Sequence, residues 1–149
     1  MSGAKPIEQY RSDLTQKVLG YAFEIHTALG SRLLESAYEQ CLVYELKQNG
    51  FHVEQQFPIA IRYKDLQVPN AFKADLIVED NLIIELKAVE RLMPIHEAQI
   101  IHYMHLSRKP LGLLLNFKES SLKNGIKRYF FDKYVQDDPF SSSSTVIKI

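Results

Sequence analysis

The sequence predicts a single small α/β domain, and three observations carry that expectation. The chain has 149 residues, a length that fits one domain and leaves little room for two. Its apolar residues change period along the chain, giving the order helix, helix, three strands, helix, strand, strand, with no internal repeat. Its composition, 46% hydrophobic and 24% charged, is that of an ordinary globular protein and supplies one core without disulfides or a structural metal.

Residues 1–11 are polar, carry Pro6, and read as a flexible arm; the domain is expected over 12–135. Ser12 and Asp13 suit the cap of a first helix from Leu14 to Leu29, with Leu14, Val18, Tyr21, Ala22, Ile25 and Leu29 at helical spacing and Gly30 as the stop. A second helix runs from Leu33 to Gln48 on a stripe of Leu34, Ala37, Tyr38, Cys41, Leu42 and Leu46, and Asn49-Gly50 ends it. Over 51–63, Phe51, Val53, Phe57, Ile59, Ile61 and Tyr63 all fall on odd positions, which predicts a strand with Pro58 marking a bend or a sheet edge. Lys64-Asp65 suits a turn, and 71–78 and 82–88 are two further strands around Glu79-Asp80-Asn81. Pro94 suits the first turn of a third helix reaching Leu106. Leu111–Phe117 and Ile126–Phe131 are the last strands, and 136–149, with four consecutive serines, reads as a flexible tail.

Net charge is zero, so bulk charge gives no support for nucleic-acid binding. The segment from Arg108 to Lys133 is locally basic, with Arg108, Lys109, Lys118, Lys123, Lys127, Arg128 and Lys133 against Glu119 and Asp132. Cys41 is the one cysteine, which excludes an internal disulfide and fits a small core residue. No apolar run reaches the length of a membrane span, and the N-terminal segment lacks the apolar centre of a secretory signal, so no membrane partner is expected and the cytoplasm is the default location.

Three charged residues interrupt two otherwise apolar strands: Asp75 in Ala74-Asp-Leu-Ile-Val78, and Glu85 and Lys87 in Ile83-Ile-Glu-Leu-Lys87. Side chains alternate along a strand, so Glu85 and Lys87 share one face while Ile84 and Leu86 take the other. Ionised groups among buried strands cost several kcal/mol unless they are paired or metal-bound. The grouping is therefore either an ion-pair network or a functional site. A hard cation takes carboxylate oxygens and keeps several waters, and an adjacent lysine meets negative charge on a phosphate. Asp75 and Glu85 chelate one ion only if they share a face. That condition predicts a three-residue loop pairing Val78 with Leu82 and setting Asp75 opposite Glu85, with Asn81 at positive φ, a β-bulge being the alternative that restores the same parity. The histidines His26, His96, His102 and His105 all fall on predicted helices without a third ligand at a recognised spacing, and read as packed or surface residues.

The residues Asp75…Glu85-Leu86-Lys87 resemble the signature of the PD-(D/E)XK nuclease superfamily. Within it, residues 14–130 resemble the small bacterial GxxExxY proteins, through Glu24-Ile-His-Thr-Ala-Leu-Gly30, Leu33-Leu-Glu-Ser-Ala-Tyr-Glu39, Ala74-Asp-Leu-Ile-Val-Glu-Asp80, Ile84-Glu-Leu-Lys-Ala-Val89 and Pro94-Ile-His-Glu-Ala-Gln99. Glu35 and Tyr38 match the motif of that name, but Arg32 stands at its glycine position, where a backbone conformation open to glycine is at stake. The resemblance implies a restriction-endonuclease-like core, a mixed β-sheet flanked by helices. It implies a metal-dependent DNA nuclease using Mg²⁺ or Mn²⁺, in which a metal-activated water attacks the phosphodiester in line. Asp75, Glu85 and the Leu86 carbonyl would bind the metal, Lys87 would position the water, and Glu35, or Glu39 one turn on, would help hold the metal or its water. Gln99 and Tyr103 resemble the Gln-x-x-x-Tyr motif of the exonuclease-type branch, with Gln99 reaching the site or a phosphate and Tyr103 the nucleic acid. Helical spacing directs Gln99 toward the Glu85–Lys87 strand and Met104 away from it. Lys123, Lys127 and Arg128 are the candidate DNA contacts of the basic segment. The competing expectation is a catalytically silent nuclease-fold module that binds nucleic acid or an unknown protein partner, and a homodimer is compatible with either.

Overall fold

The computed structural model describes residues 7–131 and 146–148, with side chains over 13–130. Residues 1–6 of the expected arm, Asp132 and Lys133 of the basic segment, and tail positions 136–145 and 149 lie outside the described residues. The elements are α1 (Ile7–Leu29), α2 (Glu35–Gln48), β1 (Val53–Tyr63), β2 (Leu66–Val78), β3 (Leu82–Lys87), α3 (Pro94–Ser107), β4 (Leu111–Asn116), a 3-10 turn (Leu122–Gly125), β5 (Ile126–Phe131) and β6 (Val146–Lys148). The strands form one mixed sheet in sequence order, antiparallel throughout except for the parallel pair β3–β4 that α3 connects.

Alternation on β3 and β4 decides the layers. Leu82, Ile84 and Leu86, with Leu111, Leu113 and Leu115, pack under α1 and α2 beside Val18, Ala22, Tyr38, Leu42 and Leu46. Ile83 and Leu114 turn to the opposite face and pack with Ile100, Tyr103 and Met104 of α3. The central strands are covered on both sides, which is why they read as continuous apolar runs. Glu85 and Lys87 share the parity of Ile83 and therefore stand on the α3 face.

Several boundaries differ from the sequence reading. The first helix begins at Ile7, so Ser12 and Asp13 lie within it instead of capping it. Its end is as expected, with Gly30 at φ 77° and its N–H donating to the His26 carbonyl. The second helix begins at Glu35, and Leu34, expected on its stripe, is 77% exposed. Arg32 is not among the residues at positive φ, so the backbone there carries a side chain without strain. Cys41 is half-buried against the α1–α2 core instead of fully inside it. The second strand extends back to Leu66, and with β1 forms a long hairpin whose tip exposes Tyr63 and Leu66; its polar sequence gave no alternation to read. The strand Val146–Lys148 falls within the expected tail and pairs along the free edge of β5.

The β2–β3 register is the expected one, with Leu76 opposite Ile84, Ile77 opposite Ile83 and Val78 opposite Leu82. The turn itself differs from the expectation. Positive φ falls on Glu79 (54°) and Asp80 (56°), and Asn81 is outside the left-handed region. Two central residues at positive φ make the tight hairpin turn whose twist matches that of the strands. The Asn81 N–H closes this turn onto the Val78 carbonyl, and its own carbonyl accepts the Leu111 N–H from β4. Asn81 thus joins the turn to the parallel strand, and its side chain donates to the Glu79 carbonyl at 2.6 Å.

Strand β1 lies at the sheet edge, where Pro58 is tolerated. Its odd-position residues do not share one face. Phe51 and Val53 meet the α1–α2 core, whereas Phe57 and Ile59 belong to the α3 side. The exchange occurs at Gln56, whose φ is 49°. Opposite it, Leu76 lies on the α1–α2 side and Ala74 on the α3 side. Gln56 and Asp75 stand between the paired positions Gln55–Leu76 and Phe57–Ala74. One left-handed residue resets the alternation, and Asp75 sits at the reset.

Candidate active site

Backbone hydrogen bonding between β2 and β3 runs from the turn to the Leu76–Ile84 pair and then gives way to side chains. Beyond it the Asp75 N–H donates to Glu85 Oε1 at 2.9 Å, and the Leu86 N–H donates to Asp75 Oδ2 at 2.9 Å. Each carboxylate caps a backbone amide beside the other, so the two acids interlock where the strands part. The Phe117 N–H donates to the Lys87 carbonyl on the β4 side. Carbonyls alternate along a strand, so the Leu86 carbonyl points with its N–H toward Asp75.

Glu85 is 4% exposed. Burial, and then the Asp75 charge beside it, push its carboxyl up to about 8. A buried acid next to a second acid keeps a proton that a cation would replace. Lys87 is half-buried and donates to Gln99 Oε1 at 3.4 Å. Gln99 also bonds the Tyr103 hydroxyl, whose ionisation burial and the Glu85 carboxylate oppose. Gln99 therefore points at the β3 strand as expected. Met104 does not point away from the sheet: it is fully buried on the same helix and lies over Gly112 of β4, where the missing side chain leaves space for its thioether. Tyr103 is 4% exposed and packs against Phe72 at 5.2 Å between ring centroids, which makes it a support for Gln99 and offers no free ring face for a base.

The two glutamates of α2 are placed differently. The Glu35 carboxylate accepts the Ala88 N–H at 3.3 Å, one residue past Lys87, and borders a cavity of about 490 Å³ with Arg32, Ser36 and Lys118. Glu39 accepts from the Gln56 side chain at 3.0 Å, and the same Gln56 Nε2 lies 3.4 Å from Asp75 Oδ1. Glu39 is thus the α2 acid linked to the Asp75 carboxylate. Among the described residues no group of three or more His, Cys, Asp and Glu side chains is gathered to hold a metal. The donor set that fits a hard cation is two carboxylates and the Leu86 carbonyl, with water and phosphate oxygens filling the remaining positions, as Mg²⁺ commonly requires.

His26, His96 and His102 make structural contacts. His26 Nε2 is 2.8 Å from the Glu119 carbonyl, the His96 ring accepts the Met93 N–H at 2.9 Å, and His102 meets Phe72 edge-on. Tyr38 is structural as well. Its hydroxyl donates to the Gly30 carbonyl at 2.6 Å and accepts the Leu33 N–H, fixing the turn ahead of Glu35.

The three candidate DNA contacts do not form one patch. Lys123 and Arg128 line a cavity of about 450 Å³ with Gln16 and Phe23 of α1. Lys127 pairs with Leu114, which pairs with Glu85, and so lies on the α3 face in the row of the acidic pair.

Sequence reasoning missed Gln56 and Asn116. Asn116 is fully buried. Its Oδ1 accepts the Val89 and Lys118 N–H groups, and its Nδ2 donates to the Val89 carbonyl at 2.9 Å, fixing the loop that follows Lys87. A lone amide closing an otherwise apolar strand was the available signal. Gln56 gave none, because it lies in a polar run.

Among the described residues no helix is long and apolar enough to cross a membrane. A family model of the PD-(D/E)XK nuclease superfamily matches residues 12–129. No curated protein and no solved structure gives a significant match.

Proposed function

The chain belongs to the PD-(D/E)XK nuclease superfamily, and on that premise we propose that it is a Mg²⁺- or Mn²⁺-dependent nuclease that hydrolyses DNA phosphodiester bonds. The observation that carries this reading is the interlocked pair Asp75–Glu85 at the parting of β2 and β3, with Lys87 projecting from the same face of β3.

Asp75, Glu85 and the Leu86 carbonyl hold the cation, and Glu39 stands behind Asp75 through Gln56. The cation, when bound, neutralises charge on the phosphate and eases deprotonation of water. Lys87, held by Gln99, orients the attacking water and meets the charge that develops on the phosphate. Positioning of these groups for in-line attack supplies much of the rate. The finer likeness to the GxxExxY proteins rests on five segments between Glu24 and Gln99, and in the one that holds Glu35 the Tyr38 hydroxyl fixes the preceding turn.

The test is incubation of the pure protein with linear, covalently closed and single-stranded DNA in Mg²⁺, Mn²⁺ or EDTA. Cleavage is expected with either metal, is lost in EDTA and in Asp75→Ala, and is strongly reduced in Lys87→Ala. Full activity in Asp75→Ala would overturn the reading. A protein that binds Mn²⁺ and DNA but cleaves none of the three would be the silent nuclease-fold module.

A further inference from the structure

Gln56 combines a backbone conformation that its side chain disfavours with a bridge between two acids. Its φ of 49° lies in the left-handed region. Such strain persists only where the surroundings enforce it, and it gathers at functional sites. Its carboxamide nitrogen donates to Glu39 Oε1 of α2 at 3.0 Å and lies 3.4 Å from Asp75 Oδ1 of β2. The neighbouring Gln55 Nε2 lies 3.3 Å from the other Glu39 oxygen. A neutral N–H₂ group thus holds two anions from separate elements side by side, and a cation would hold them more strongly. Gln56 is solvent-exposed, so its amide has water to bond when it leaves.

We propose that Gln56 is a latch on the cation site: its carboxamide holds Asp75 and Glu39 together without a cation and gives way when a divalent cation binds beside Asp75. The inference rests on the nuclease reading and goes beyond it. It makes Gln56 a positioning residue and makes Glu39, in place of Glu35, the α2 carboxylate that the released latch offers to the cation.

Mn²⁺ titration calorimetry on wild type, Gln56→Ala and Gln56→Gly tests it. Both variants are expected to bind Mn²⁺ more tightly than wild type, by roughly three- to tenfold, the weight of a displaced pair of hydrogen bonds. A purely structural Gln56 would lower affinity or leave it unchanged. Gln56→Gly also tolerates the positive φ, which keeps one variant folded if Gln56→Ala is not. In wild type, Mg²⁺ should move the Gln56 side-chain N–H₂ resonances toward those of a solvated glutamine. Adding Glu39→Gln to Gln56→Ala should remove the gain in affinity. Equal or weaker Mn²⁺ binding by the folded variants, with wild type binding normally, overturns the latch and leaves the nuclease reading standing. Absence of Mn²⁺ binding in wild type and variants alike overturns both. Binding by the variants alone supports the latch.

Discussion

A carboxyl as buried as Glu85, set beside Asp75, holds its proton to about pH 8 in the folded chain, well above its ordinary value of 4.5. The folded state therefore binds this proton more tightly than the unfolded state does. That contribution to stability is complete below pH 4.5 and is lost as pH rises through about 8, at up to about 1.4 kcal/mol per pH unit. Glu85→Gln keeps the acceptor for the Asp75 N–H and removes the ionisation. Its melting temperature should accordingly gain on wild type between pH 5 and pH 8, and parallel melting curves across that range would contradict the assignment. The same proton competes with the cation. Mn²⁺ affinity of wild type should rise by up to about tenfold per pH unit below pH 8 and level off above it, with proton release seen in calorimetry in buffers of different ionisation enthalpy. At Lys87 the expected loss on substitution by alanine is roughly 10²–10³-fold in kcat, the scale of one preorganised charge-stabilising donor. Gln99→Ala should lose less, because the ammonium remains and only its 3.4 Å tether goes.

Between elements, the site depends on how β4 grips the segment after Lys87. Asn116 satisfies both backbone groups of Val89 from a fully buried position. Asn116→Ala strands those groups and should cost about 2–4 kcal/mol by chemical denaturation, with a fall in cleavage rate beyond what the unfolded fraction explains. Two glycines, one beside this grip and one toward the start of β4, separate flexible from rigid crowding. A methyl at Gly125 would sit 2.5 Å from the Asn116 carbonyl oxygen, whereas one at Gly112 would meet the Met104 sulfur at the same distance. A thioether moves aside and a strand carbonyl does not. Gly125→Ala should therefore destabilise by about 1–3 kcal/mol and Gly112→Ala by less, a ranking that paired denaturation curves decide.

Across the whole molecule, the sheet assigns the basic residues of β5 to opposite sides. Lys127 follows Leu114 and Glu85 along one row of the α3 face, two strand spacings or roughly 10 Å from the acidic pair. Arg128 and Lys123 lie with α1 on the other face. Lys127→Ala should weaken DNA binding and flatten its dependence on salt, while Lys123→Ala with Arg128→Ala should leave the slope unchanged. Equal effects from both variants would mean that DNA contacts both faces.

The element order, the Asp75–Glu85–Lys87 grouping and the register of the β2–β3 hairpin are legible in the sequence. Each follows from local rules: apolar period, the cost of charge among buried strands, and side-chain parity. The positive φ falls on Glu79 and Asp80 instead of Asn81, whose carbonyl meets Leu111, thirty residues on. The sequence reads the odd positions of β1 as one face, because nothing in Glu54-Gln55-Gln56 announces the left-handed backbone at Gln56 that exchanges the faces. That Glu39, and not Glu35, is linked to Asp75, that Tyr103 is buried, and that Lys127 takes the α3 face emerges only from the folded chain. Those outcomes depend on where separate elements meet in space, and spacing along one chain carries no distance between them.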